Sequence, residues 1–128
     1  MEIVQIVVLA LTGLFLTLMG ILRISNPIAN YAKNSGINLD NNVDLLNEMR
    51  GVSAVMLCAG IIIGMGALIS GLMFTSFVVG ALIYLGFAIG RFVGWATDGK
   101  PNKQISQGIV FELVFGGAHL FCLLSTLM

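Results

Sequence analysis

The chain has 128 residues, of which 58% are hydrophobic and 9% charged, with sixteen glycines and a mean hydropathy of +1.02. A soluble domain carries roughly 25% charged residues, so this chain cannot cover a water-facing surface. A soluble enzyme is excluded, and a formal net charge of zero speaks against a nucleic-acid partner as well. What remains is an all-α integral membrane protein, a four-helix bundle forming one transmembrane domain by its length.

Four spans follow in chain order. Residues 3–22 contain no charged side chain, and about 20 such residues cross a hydrocarbon core of roughly 30 Å. This run has no basic start and exceeds the roughly 7–15 residues of a signal-peptide core, so it reads as a retained span. Residues 23–47, RISNPIANYAKNSGINLDNNVDLLN, form a polar connection broken by Pro27 and Gly36. Asn41 or Asn42 can cap a turn leading into Val43, Leu46 and Met49, which have helical spacing. From Gly51 to Gly90 no charged residue occurs. One helix of that length would extend about 60 Å, twice the hydrocarbon thickness. The stretch is therefore a hairpin, with spans at 48–70 and 74–95 and a turn between Ser70-Gly71 and Thr75-Ser76. ATDGKPNKQ marks a further loop, and the fourth span covers 105–127. A transmembrane β-barrel does not fit, because these runs lack two-residue alternation and are twice the length of a tilted strand.

All six cations, Arg23, Lys33, Arg50, Arg91, Lys100 and Lys103, fall in or beside the first and third connections. The positive-inside rule puts those connections in the cytoplasm and both termini outside it, in an inner membrane.

Lipid gives helices no hydrophobic reason to associate, so small residues that permit close approach carry the packing. Gly60 and Gly64 on the second span, Gly86, Gly90 and Gly94 on the third, and Gly116 on the fourth form such faces. Gly13 and Gly20 repeat one heptad apart on the first. Cys58 and Cys122 lie within apolar stretches, form no CxxC pair and read as small buried residues.

The scarce charge gathers toward one end as Glu48, Arg50, Arg91, Asp98 and Glu112. Arg50 and Arg91 can reach the interface with their long stems. Glu112 lies about 10 Å into its span and needs a partner, a polar cavity or a proton. Glu48 and Arg50 are about 200° apart on a helix, so Arg50 must pair with another helix. The simplest closed arrangement joins Glu112 to Arg50 or Arg91 and leaves Glu48 and Asp98 for the other arginine. Trp95, between Arg91 and Asp98, can anchor the interface or stack on a cation. Such a cluster is either an ion-pair network that fixes helix register or a cytoplasm-facing pocket for a small molecule, lipid headgroup or proton. His119, seven residues beyond Glu112 on the same face, can extend a proton path or simply bond a neighbouring helix. Cys122 next to it does not complete a metal site. No catalytic constellation and no cofactor motif stand out.

NEMRG before the glycine-rich second span, GRFVGWATDGKP, and FELVF together resemble a bacterial four-helix membrane family of unknown function related to the DoxX-like proteins. The resemblance covers nearly the whole chain. Its polar landmarks fall on Glu48, Arg50, Arg91, Asp98, Gly99, Pro101 and Glu112, while Ser53-Ala54 stands where the family has a glycine pair. The DoxX-like connection implies a subunit of quinone oxidoreduction or a membrane chaperone. The leading expectation is a non-enzymatic accessory or assembly protein that engages a membrane partner or its own copies. A ligand- or proton-handling protein and a quinone-linked redox subunit are the alternatives.

Overall fold

The computed structural model describes residues 2–128. They form five α-helices: α1 (Glu2–Ser25), α2 (Pro27–Ser35), α3 (Val43–Leu68), α4 (Met73–Asp98) and α5 (Lys103–Leu127). A single 3-10 turn, Ser70–Leu72, joins α3 to α4. No strand occurs among the described residues. Helices α1, α3, α5 and α4 with its preceding turn are each long and apolar enough to cross a membrane.

The polar connection holds the helix that the spacing did not reveal. Asn26 caps α2 by accepting from the Ala29 amide, and Pro27 occupies the first helical position, where its missing N–H costs nothing. Gly36, at φ +64°, ends the helix in the left-handed region, and its N–H bonds the Tyr31 carbonyl. The two supposed breakers are thus the start and stop of α2. Asn42 caps α3 through the Leu45 amide, as the spacing of Val43, Leu46 and Met49 implies, so the helix starts at Val43, five residues ahead of the apolar span expected from 48.

Packing follows the small residues in part. A Cβ on Gly13 would stand 2.6 Å from the Gly64 backbone nitrogen, and one on Gly60 would stand 2.6 Å from that of Thr17. Gly20 meets the Leu57 backbone in the same way. Helices α1 and α3 therefore touch backbone to backbone. At the hairpin, the Ser76 hydroxyl donates to the Ile62 carbonyl at 2.7 Å, against Gly66. Gly116 receives Leu85, which joins α4 to α5. Gly86, Gly90 and Gly94 differ: no atom lies within 4 Å of a Cβ at any of them. That face of α4 turns outward, so the stripe does not pack helices within this chain. Cys122 is buried, but Cys58 is exposed on the outer side of α3, contrary to the expectation that both are inside.

The buried core is built from Leu9 and Leu16 of α1, Met56, Ala59 and Ile63 of α3, Phe77 and Tyr84 of α4, and Cys122 of α5. At its centre lies His119, fully buried. Thr12 gives its hydroxyl proton to the Val8 carbonyl at 2.6 Å, so the imidazole donates from Nε2 to Thr12 Oγ1 at 2.7 Å. The Tyr84 hydroxyl donates to the Thr12 carbonyl at 2.8 Å. Three helices are tied together at this one point. Gly80 is what admits the ring, since a Cβ there would collide with it.

Candidate functional site

Toward the end of the bundle that carries the cations, a cavity of about 250 Å³ opens between α1, α4 and α5 beneath α2. Its position follows from how the helices pair. Helix α1 lies along α3, α3 along α4, and α4 along α5, but α1 and α5 meet only sparsely. Besides the Thr12–His119 bond, their contact is aromatic, with the Phe15 and Phe115 rings edge to face at 5.8 Å. Rings of this size hold two backbones apart where glycine would bring them together.

Three charged groups line the cavity: Arg23, Arg91 and Glu112. Arg91 Nη1 stands 2.9 Å from Glu112 Oε2, the one salt bridge among the described residues. Gly108, one turn before Glu112, leaves room for this guanidinium, because a Cβ there would approach Arg91 Nη1 to 2.7 Å. The second carboxylate oxygen, Oε1, is buried and has no hydrogen-bond partner. An unpaired buried acceptor of this kind costs free energy unless something donates to it.

Arg23 is the residue that sequence reasoning missed, having been used only to orient the chain. It is 8% exposed, and α2 builds its surroundings. Nε donates to Asn30 Oδ1 at 3.1 Å, Nη2 donates to the Ser35 hydroxyl at 3.2 Å, and the guanidinium lies 4.4 Å from the Tyr31 ring centre. Nη1 finds only the Met56 sulfur, a weak acceptor, at 4.0 Å. No carboxylate pairs with Arg23 among the described residues. A signal existed in the sequence: Asn26 and Pro27, a capping residue followed by proline, start a helix just after Arg23, and Asn30 and Ser35 both lie on it. Helix α2 is fixed from the other side by Asn102, which caps α5 through the Ile105 amide and donates to the Ser35 carbonyl at 2.8 Å.

The other members of the expected cluster lie elsewhere. Glu48 and Asp98 are exposed and form no salt bridge. Arg50 is also exposed, and its Nε donates to the Ile24 carbonyl at 3.2 Å. Glu48 and Arg50 lie on the exposed side of the first turns of α3, and Asp98 is the last residue of α4. Trp95 stacks with Phe92 and lies 6.0 Å from Lys100 Nζ, whereas Arg91 approaches Phe87. His119 does not line the cavity; its Nε2 is engaged by Thr12.

The chemistry of the cavity is therefore two guanidiniums against one carboxylate at the polar end, with Phe15, Phe111 and Phe115 toward the seam. No curated protein and no solved structure matches the chain. The model of the family described as a domain of unknown function (DUF4345) matches residues 4–123, nearly the full length, and the protein belongs to that family.

Proposed function

We propose that the protein is a multi-pass membrane protein that holds a small amphiphile in the cavity between α1, α4 and α5. Membrane insertion is supported by the outer surface, where Leu11, Leu14, Leu82, Ile89, Val110 and Phe121 all point away from the core. Each such side chain left in water forgoes about 1.5–3 kcal/mol. A handful of them rival the whole 5–15 kcal/mol or so that stabilises a soluble domain. The four apolar helices carry their cations at one end only, and the proposed orientation puts that end, with α2, on the cytoplasmic side of a bacterial inner membrane. The NEMRG and FELVF landmarks support placing it beside the DoxX-like proteins.

The observation that carries the ligand reading is Arg23. A buried cation with neutral partners, facing a cavity, is costly in an apolar setting and marks a binding site by default. Phe15 and Phe111, both exposed on the open seam, let an apolar tail enter sideways. Protein purified in mild detergent is expected to carry a bound amphiphile, found by organic extraction and mass spectrometry. Met19→Trp, which fills the cavity from α1, should expel it while the helical content read by circular dichroism is retained. An empty wild-type protein, or a Met19→Trp protein that retains its ligand, sinks the reading.

Orientation has its own test. With Cys58 and Cys122 replaced by serine, Asn38→Cys should resist an impermeant maleimide in intact cells and Thr126→Cys should react. The reverse pattern inverts the topology.

A second reading, an accessory protein that joins a membrane partner or its own copy, keeps one observation in its favour. Gly86, Gly90 and Gly94 offer an exposed face on α4 that nothing in the chain covers.

A further inference from the structure

The amphiphile reading leaves open which polar group enters the cavity, and the charges around it narrow the choice. We infer that the group is a phosphodiester monoanion carrying a hydroxyl: Arg23 takes the anion and the free oxygen of Glu112 accepts from the hydroxyl. This inference rests on the amphiphile reading of the same cavity.

Charge comes first. Arg91 and Glu112 neutralise each other across 2.9 Å, so the cavity retains the single positive charge of Arg23. One negative charge on the ligand closes the account in a buried setting, where an uncompensated ion is expensive. A phosphomonoester able to carry two charges overshoots. A zwitterionic headgroup brings a cation that has no unpaired carboxylate to meet, because Glu112 is already held by Arg91.

Hydrogen bonding comes second. Glu112 Oε1 is buried and unpartnered, which calls for a donor. A simple fatty acid satisfies Arg23 but donates nothing. Arg23 Nη1, with only a sulfur at 4.0 Å, has a proton available for a phosphate oxygen, and guanidinium matches phosphate in shape as well as charge. A diester with a hydroxylated arm serves both ends at once.

Size comes third. The cavity, about 250 Å³, falls just below the roughly 300 Å³ at which pockets enclose whole drug-sized ligands. It suits a headgroup. Acyl chains then lie along the open α1–α5 seam past Phe15, Phe111 and Phe115. A membrane glycerophospholipid and a water-soluble glycerophosphodiester share this headgroup chemistry.

Native mass spectrometry of the full chain in mild detergent tests the inference. The probes are phosphatidylglycerol, phosphatidylmethanol (the same monoanion without a hydroxyl), phosphatidylcholine, phosphatidic acid and soluble glycerophosphoglycerol. Phosphatidylglycerol is expected to bind one molecule per chain, about tenfold tighter than phosphatidylmethanol, since a hydrogen bond to a charged acceptor is worth that much. Phosphatidylmethanol should in turn exceed phosphatidylcholine. Arg23→Gln should erase the preference for both monoanions, and Arg23→Lys should retain part of it. Binding of the soluble diester as tight as that of phosphatidylglycerol supports the headgroup assignment and names a soluble source; binding of the lipid alone supports it and names the membrane. If all lipids bind equally, or phosphatidic acid binds best, the headgroup inference is overturned while the amphiphile reading stands. If no probe binds and nothing co-purifies, both fall. Should Arg23→Gln fail to fold, the order of the probes on the wild-type protein decides alone.

Discussion

Helix α1 makes two seams of opposite character. Against α3 it presents Gly13, Thr17 and Gly20 to Gly60, Gly64 and Leu57, and the backbones themselves are in contact. Toward α5 it presents Phe15, and the ring of Phe115 meets it at 5.8 Å with a cavity alongside. The same helix thus uses its smallest residues where it must be fixed and its largest where the bundle stays open. In a membrane, where burial of apolar surface does not drive helices together, residue size alone sets how near two backbones come. The closed seam is a fold device. The open one leaves space for a ligand, with Arg23, one turn beyond Gly20, held by α2 over its polar end.

Attacking the closed seam should have the largest effect. Gly13→Leu or Gly60→Leu must push α1 away from α3, because the obstacles are backbone atoms that cannot rotate aside. Overpacking of a well-packed site costs about 1–3 kcal/mol, and these variants belong at the top of that range or beyond it. Thermal unfolding in detergent should show a large drop in melting temperature. A melting temperature within error of wild type would mean that the two helices are not in backbone contact.

The polar end of the open seam is the next place to strike. Arg91→Met leaves Glu112 without its partner, and Glu112→Leu leaves Arg91 without its own. Breaking a buried pair from one side is far costlier than removing both members, although here the groups are only partly covered. Each single variant should lose about 2 kcal/mol, and the double variant should regain at least half of that. Additive losses in a double-mutant cycle by denaturant titration would show that the two residues do not interact.

Much of this comparison was legible before any coordinates. The apolar runs, the hairpin between 51 and 90, and the close approach of Gly13, Gly20, Gly60 and Gly64 all follow from periodicity and residue size. Glu112 announced its need for a partner by its depth, and Arg91 is that partner. Arg23 was hidden because its surroundings come from α2, a helix of nine residues. This short helix buries Pro27, Tyr31 and Ser35 along one face and is bounded by its caps, Asn26 and Gly36. Glu48, Arg50 and Asp98 misled for a related reason. A shared level along the bundle is visible in sequence, but which side of the helix faces inward is set by how α3 packs against α1 and α4. Gly80 gave no signal either, as its partner is a ring 39 residues away on another helix.

That ring provides a milder probe, at the point where the two seams share a core. Thr12→Val removes the acceptor of His119 Nε2–H and leaves the side chain volume nearly unchanged. A buried donor stranded in this way costs about 1–3 kcal/mol. The lower half of that range is expected, because the Tyr84 bond runs to the Thr12 backbone and survives the substitution. Chemical denaturation reads the loss. No loss would indicate that the imidazole has turned to another acceptor.

The smallest effect belongs to a third face of the molecule, which neither seam uses. Gly86, Gly90 and Gly94 stand on one helix at the four-residue spacing that elsewhere brings backbones together, yet a Cβ at each meets nothing within 4 Å. Alanine there adds a methyl group to an outward surface and removes a conformationally loose residue from a helix, a change worth up to about 1 kcal/mol in favour of the helix. The triple substitution Gly86→Ala, Gly90→Ala, Gly94→Ala should leave the melting temperature unchanged or slightly raised, whereas the single change Gly13→Ala should lower it. Identical chemistry then gives opposite signs, and the deciding variable is the neighbouring backbone. A clear destabilisation of the triple variant, together with a fall in apparent mass by light scattering, would mean that a second copy covers this face and that glycine does the same work between chains as it does between α1 and α3.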